Sequence, residues 1–276
     1  MLDAINNKEL GFMDILSISM NLFMKNFKSI MIVVTFLFLP ISILNVLIVE
    51  KLSNSALILM NMVEAEGFLE TMPAYTEALI RFLGNHALQM TVLLFLEPIG
   101  VIAIAKIAKG YLCNETIKVK DAIGEAMNCL WGVIVTGIPY WVLIFIASTF
   151  FVIPGLVLGV FWTFYVYAIG LKDIRGWKAL TYSKKLTGGK FWKTTGFIIV
   201  TSFIVSGWNW LFKGLLFIAP EHVATNILYS TLTYISGSFA YMGVTVLFMN
   251  RGAIMFGEKY YPNENIIEST EIENKE

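Results

Sequence analysis

Six stretches of about twenty residues, nearly or wholly free of charge, recur along this chain. They lie near residues 30–49, 87–108, 131–151, 154–171, 194–217 and 226–249. Twenty apolar residues in a helix reach across the hydrocarbon core of a bilayer. In that solvent only a helix or a closed barrel satisfies every backbone donor and acceptor. The runs are continuous rather than alternating, which selects the helix. The expectation is an all-α polytopic membrane protein with six transmembrane helices.

Composition agrees. Of the 276 residues, 57% are hydrophobic and only 14% charged, against about a quarter charged in soluble domains. So few charges cannot cover a water-facing surface. Aromatic residues make up 14%, with 7 Trp, which suits the two membrane boundaries, where an apolar ring with a polar edge is stabilised. The formal net charge is zero, so no basic field points to nucleic acid. The two cysteines, Cys113 and Cys129, read as small apolar fillers, with neither a disulfide framework nor a zinc site. No secretory signal stands at the start, and the first apolar run reads as a retained span.

Short amphipathic segments sit between the spans, near 12–28, 118–130 and 176–190. In the first, Met13, Leu16, Met20, Phe23 and Phe27 recur every three or four residues, with Asp14, Ser17, Asn21, Lys25 and Lys28 opposite. Such a helix directly before a span is expected to lie in the interface. Asp14-Ile15-Leu16, Asp121-Ala122-Ile123 and Lys178-Ala179-Leu180 hold equivalent places, and Phe27, Trp131 and Phe191-Trp192 follow where the chain enters the membrane. The chain therefore reads as three repeats of an interfacial helix plus two spans. Residues 1–256 form one transmembrane domain on this reading. Residues 1–10 are expected to be loosely ordered, 50–86 to be an outer loop of short amphipathic helices, and 257–276 to be an acidic, disordered cytoplasmic tail.

Charge sets the orientation. The segments up to residue 28, 106–130, 172–193 and 251 onward hold 3, 4, 7 and 3 of the 20 Lys and Arg residues, leaving Lys51, Arg81 and Lys213 opposite. Such asymmetry places both termini in the cytoplasm.

The stretch Pro154-Gly155, a span, then Gly176, Ala179-Leu180, Ser183, Leu186-Thr187, Gly189 and Phe191-Trp192 resembles a pattern in a broad group of bacterial six-helix membrane proteins. That group includes YciC-like inner-membrane proteins and the membrane domain attached to some glycerophosphodiester phosphodiesterases. Asp14-Ile15-Leu16 through Asn26-Phe27 is similar to the group's start. The resemblance covers most of residues 12–255 and implies the fold and the cell-membrane location. It implies no activity, because the phosphodiesterases' catalytic domain has no counterpart here.

Two kinds of candidate site emerge. Glu97 is a carboxylate inside a span, by default a proton or cation site. The plainer alternative has it hydrogen-bonded to a neighbouring helix. Lys178, Lys184, Lys185, Lys190 and Lys193 form a basic cluster suited to anionic lipid or to a partner, or serving only to fix topology. Ser183 beside Lys184 is a poor nucleophile pair, since adjacent helical residues do not face each other. Asn209 and Lys213 lie near an outer helix end, and Gly207, Gly214, Gly237 and Gly243 read as close helix contacts. No catalytic group, metal cluster or cofactor motif is evident. The expected role is a non-enzymatic accessory or scaffold working through membrane lipids, anionic ones included, or a membrane-protein partner. A transporter component or immunity-type protein is the alternative.

Overall fold

A computed structural model describes residues 1–64, 68–115, 117–217 and 222–261. Among these the protein is helical throughout, without strands. Helix α1 (Leu2–Asn7) and α2 (Phe12–Lys25) open the chain. A long rod follows: α3 (Phe27–Val33), a π-helical turn (Val34–Phe38) and α4 (Leu39–Glu64). A second rod descends beside it: α5 (Phe68–Thr91), a π-helical turn (Val92–Leu96) and α6 (Glu97–Leu112). Next come α7 (Val119–Asn128), α8 (Leu130–Phe150), α9 (Val152–Phe161), α10 (Tyr165–Lys172), α11 (Trp177–Gly188), α12 (Phe191–Leu216) and α13 (Val223–Phe256).

Six segments are long and apolar enough to cross a membrane: Phe27–Asn61, Met72–Leu112, Leu130–Thr149, Val152–Lys172, Phe191–Leu216 and Val223–Phe256. The protein is a multi-pass membrane protein. The first two segments, of 35 and 41 residues, exceed what a bilayer needs. This corrects the expected loop at 50–86. Its scattered charges read as a loop of short helices, but α4 runs to Glu64 and α5 starts at Phe68, and the two pack side by side as helices longer than a bilayer requires. Glu77 and Arg81 lie one turn apart on α5 and pair at 2.6 Å, as exposed helical charges do.

Helix α13 is the centre. Its span has the largest buried share of the six, 61%, and it packs against α1, α2, α4, α6, α11 and α12. Helix α12 is peripheral, with 11% of its span buried. Each π turn ends two residues before a proline, Pro40 or Pro98. Proline lacks an N–H and its ring crowds the carbonyl one turn back, and the wider turn relieves that crowding. Phe38, at the end of the first π turn, is fully buried. Its ring stacks on Tyr234 with centroids 4.4 Å apart and lies against Gly100, where a side chain would collide with it.

Exposed tryptophans mark two levels. Trp131, Trp177 and Trp192 stand at the basic end, and Trp208 and Trp210 at the other end of α12. Trp192 and Trp210 are separated by about 27 Å at 1.5 Å per residue, close to a hydrocarbon thickness.

Helix α2 presents two different faces. Ile15, Ser19 and Leu22 face the protein, whereas Met13, Met20, Met24 and Phe27 are exposed. The Met and Phe stripe is the side available to lipid, so apolar periodicity here marks the membrane-facing surface as well as the core. Of the four glycines read as helix contacts, Gly243 lies against the Phe197 ring and Ser19. Gly207 and Gly214 have open space before them, and the atoms nearest Gly237 belong to Tyr241 of its own helix.

Both ends of the described chain depart from expectation. Residues 1–10 are docked rather than loose, because Asn250 supplies what their backbone needs. Its amide donates to the carbonyls of Ile5 and Lys8, both at 2.8 Å, and its Oδ1 accepts from the Leu10 N–H at 3.1 Å. The segment after α13 stays ordered to Tyr261. Asn6 Nδ2 donates to the Tyr260 carbonyl and Asn6 Oδ1 accepts from the Tyr260 N–H. Glu258 pairs with Lys172 at 2.6 Å and accepts from the Tyr182 hydroxyl at 2.8 Å. Residues 257–261 of the expected tail are thus docked on the fold, and residues 262–276 lie outside the described residues.

Candidate functional site

The basic end is assembled around α11. Its N-terminus depends on Gly176, whose φ of +62° suits glycine and whose N–H donates to Thr136 Oγ1 at 2.7 Å. Ala179, Leu180, Ser183, Leu186 and Thr187 form the buried face. That face repairs a break in the fourth span. Between α9 and α10 the regular helix lapses over residues 162–164. There Ser183 Oγ donates to the Phe161 carbonyl at 2.9 Å and accepts from the Phe164 N–H at 3.0 Å. Thr187 adds a second donor to Phe161. Ser183 is therefore a staple across the break.

The opposite face carries the cations. Trp177, Lys178, Lys184 and Lys185 are exposed, and the three lysines form no ion pair with the described residues. Lys190 and Lys193 stand apart from them at the start of α12. Both reach Glu9, at 2.8 and 2.6 Å. These two hydrogen bonds, Lys190 first, hold the Glu9 carboxyl down at about 2, well below the usual carboxylate value. The five lysines thus divide into an open group on α11 and a pair tied to the N-terminal segment.

Arg251, on the end of α13, was not singled out in the sequence. It is buried, and its guanidinium donates to the carbonyls of Leu186 and Lys190 at 3.0 and 3.2 Å, closing the C-terminal end of α11. The Phe164 ring lies 5.7 Å away. The signal available was Asn250-Arg251, two strongly polar residues ending the last apolar run. Glu9 and Glu258 gave none, since their partners lie far along the chain.

Glu97 lies elsewhere, in the interior of the second span at the start of α6. Its carboxyl accepts from the Tyr241 hydroxyl at 3.1 Å. Asn45 and Tyr234 form a second polar pair between α4 and α13, at 3.4 Å. Glu97 is thus joined to a neighbouring helix and is separate from the lysines.

The remaining candidates fall as follows. Asn209 accepts from Ser236 at 2.7 Å, tying α12 to α13, and Lys213 is exposed. Cys113 and Cys129 are buried, and burial pushes both thiols up, away from the reactive thiolate. Among the described residues no group of His, Cys, Asp and Glu is placed to hold a metal ion.

No protein-family model matches the chain, and neither a curated protein nor a solved structure matches it.

Proposed function

We propose that this is a non-enzymatic scaffold or accessory protein of the cell membrane, with both termini cytoplasmic, that engages anionic lipid headgroups through the open face of α11. The observation that carries the reading is the state of Lys178, Lys184 and Lys185. They are exposed and without ion-pair partners among the described residues, on a helix whose other face is locked into the fold. Exposed Trp177 and Trp192 flank them. A rigid row of cations at the level of an aromatic belt matches the phosphate level of an anionic leaflet. The cationic surplus of this end supports the cytoplasmic placement, and the likeness of residues 154–192 to six-helix inner-membrane proteins fits it.

A transport role would rest on Glu97. Its carboxyl is engaged by Tyr241, so the reading is placed at the basic face rather than in mid-membrane. A membrane-protein partner would find its own surface in the paired helices α4 and α5, where Leu57, Met60, Ile80 and Leu83 are exposed.

Each lysine beside an anionic surface contributes about 1 kcal/mol. The full chain, extracted from vesicles of equal phosphatidylglycerol and phosphatidylcholine, should retain an excess of phosphatidylglycerol. The triple change Lys178→Gln, Lys184→Gln and Lys185→Gln should remove most of that excess. Equal retention by the parent and the triple variant would refute the reading.

A further inference from the structure

A cavity of about 400 Å³ opens between the start of α2, the first turns of α12 and the end of α13. Its walls are apolar: Phe12 and Phe197 meet edge to face with centroids 5.7 Å apart, and Leu247 lines the floor. Val200, Ile254 and Met255 border it and are themselves exposed, so the cavity communicates with the surface that lipid covers. Its polar rim is Lys190, Lys193, Arg251 and Glu9.

The rim is cationic beyond what Glu9 neutralises. Three positive side chains share one carboxylate, leaving two charges over. Donors are left over as well. Each ammonium carries three N–H groups and gives one hydrogen bond to Glu9. The guanidinium carries five and gives one to each of two carbonyls. Charge complementarity therefore calls for an anion with several acceptor oxygens, and the greasy walls behind the rim call for an anion attached to a hydrocarbon chain. A phosphodiester on a diacylglycerol has both. Trp192, 82% exposed in the first turn of α12, puts the rim at the membrane boundary, where such a headgroup lies.

We infer that the cavity between α2, α12 and α13 seats one anionic phospholipid. Its phosphate lies across Lys190, Lys193 and Arg251, and an acyl chain runs along Phe197, Val200 and Leu247. Glu9 is a tethered competitor that occupies the two lysines when the seat is empty. The inference rests on the anionic-lipid reading above, but concerns a single stoichiometric molecule rather than general attraction to a charged leaflet.

The test is native mass spectrometry of the full chain, released from detergent micelles holding phosphatidylglycerol or phosphatidylcholine. One tightly held phosphatidylglycerol is expected. Lys190→Gln with Lys193→Gln should weaken it roughly thirty-fold. Glu9→Gln should tighten it several-fold, a gain that misfolding cannot produce. The Lys178, Lys184 and Lys185 triple variant should keep this one lipid while losing the general excess, so the seat and the surface reading fail separately. Equal retention of phosphatidylcholine would overturn the inference. So would unchanged binding by the Lys190 and Lys193 variant, or displacement of the lipid by soluble glycerol phosphate at equal concentration.

Discussion

Three side chains hold the N-terminal segment and α11 in place, and each acts by supplying hydrogen bonds that the backbone or a charge lacks. Asn250 satisfies the N-terminal segment, Arg251 closes α11, and Glu9 ties that segment to α12. Their visibility in the sequence differed. Asn250 and Arg251 end an apolar run, which was the one available signal, and nothing local names their partners. Glu9 sits in a polar stretch where any acid is ordinary. Its lowered carboxyl nevertheless has a measurable consequence. A carboxyl whose folded value lies below its unfolded one stabilises the fold fully above the unfolded value, about 4.5, and loses that contribution as pH falls towards about 2. The tie of residues 1–10 to α12 should therefore be unchanged from pH 5 to 8 and loosen progressively below about 4.5. A carbon-13 titration of the Glu9 carboxyl should show a midpoint near 2 that returns to the ordinary range in Lys190→Gln with Lys193→Gln. An ordinary midpoint in the parent chain would show that the pairing does not form. Solvent reaches Glu9 and both lysines, so salt should weaken the effect.

Helices were legible where their length answered to a single solvent. Runs such as 131–151 carry no charge and could only be spans, and Leu130–Thr149 is close to that range. The extra length of α4 and α5 was not legible. Outside the bilayer a helix carries Glu50, Lys51 and Glu77 without penalty, and its pattern resembles an amphipathic loop. The break between α9 and α10 was also hidden, since residues 160–166 contain neither proline nor glycine. Its mark lay elsewhere, in Ser183 and Thr187 among the buried apolar residues of α11. Ser183→Ala leaves the Phe164 N–H without its acceptor in a buried setting, at a cost of about 1–3 kcal/mol. Thermal unfolding in detergent should show that loss, with Ser183→Thr largely retaining the parent stability. An alanine variant as stable as the parent would mean the break is repaired by other groups.

At the scale of the molecule, the organisation is one of levels. Cations and surface helices gather at one end with Trp131, Trp177 and Trp192, Trp208 and Trp210 mark a second level along α12, and α4 and α5 pair at the other end. The sequence carried this plan in the asymmetry of its Lys and Arg residues, because a membrane sorts positive charge by side. It did not carry the long-range ties that close α1, α11 and the segment after α13 onto one another. Those depend on residues up to 254 positions apart. The proposed function and the lipid seat both require the basic end to face the cytoplasm. The most direct measurement labels single cysteines with a membrane-impermeant maleimide in sealed vesicles of each orientation, with Cys113 and Cys129 replaced by Ala. Lys184→Cys should react only in inverted vesicles, and Glu77→Cys, on α5, only in right-side-out ones. Labelling of both positions from the same side, or of Lys184→Cys from the outside, would contradict the account.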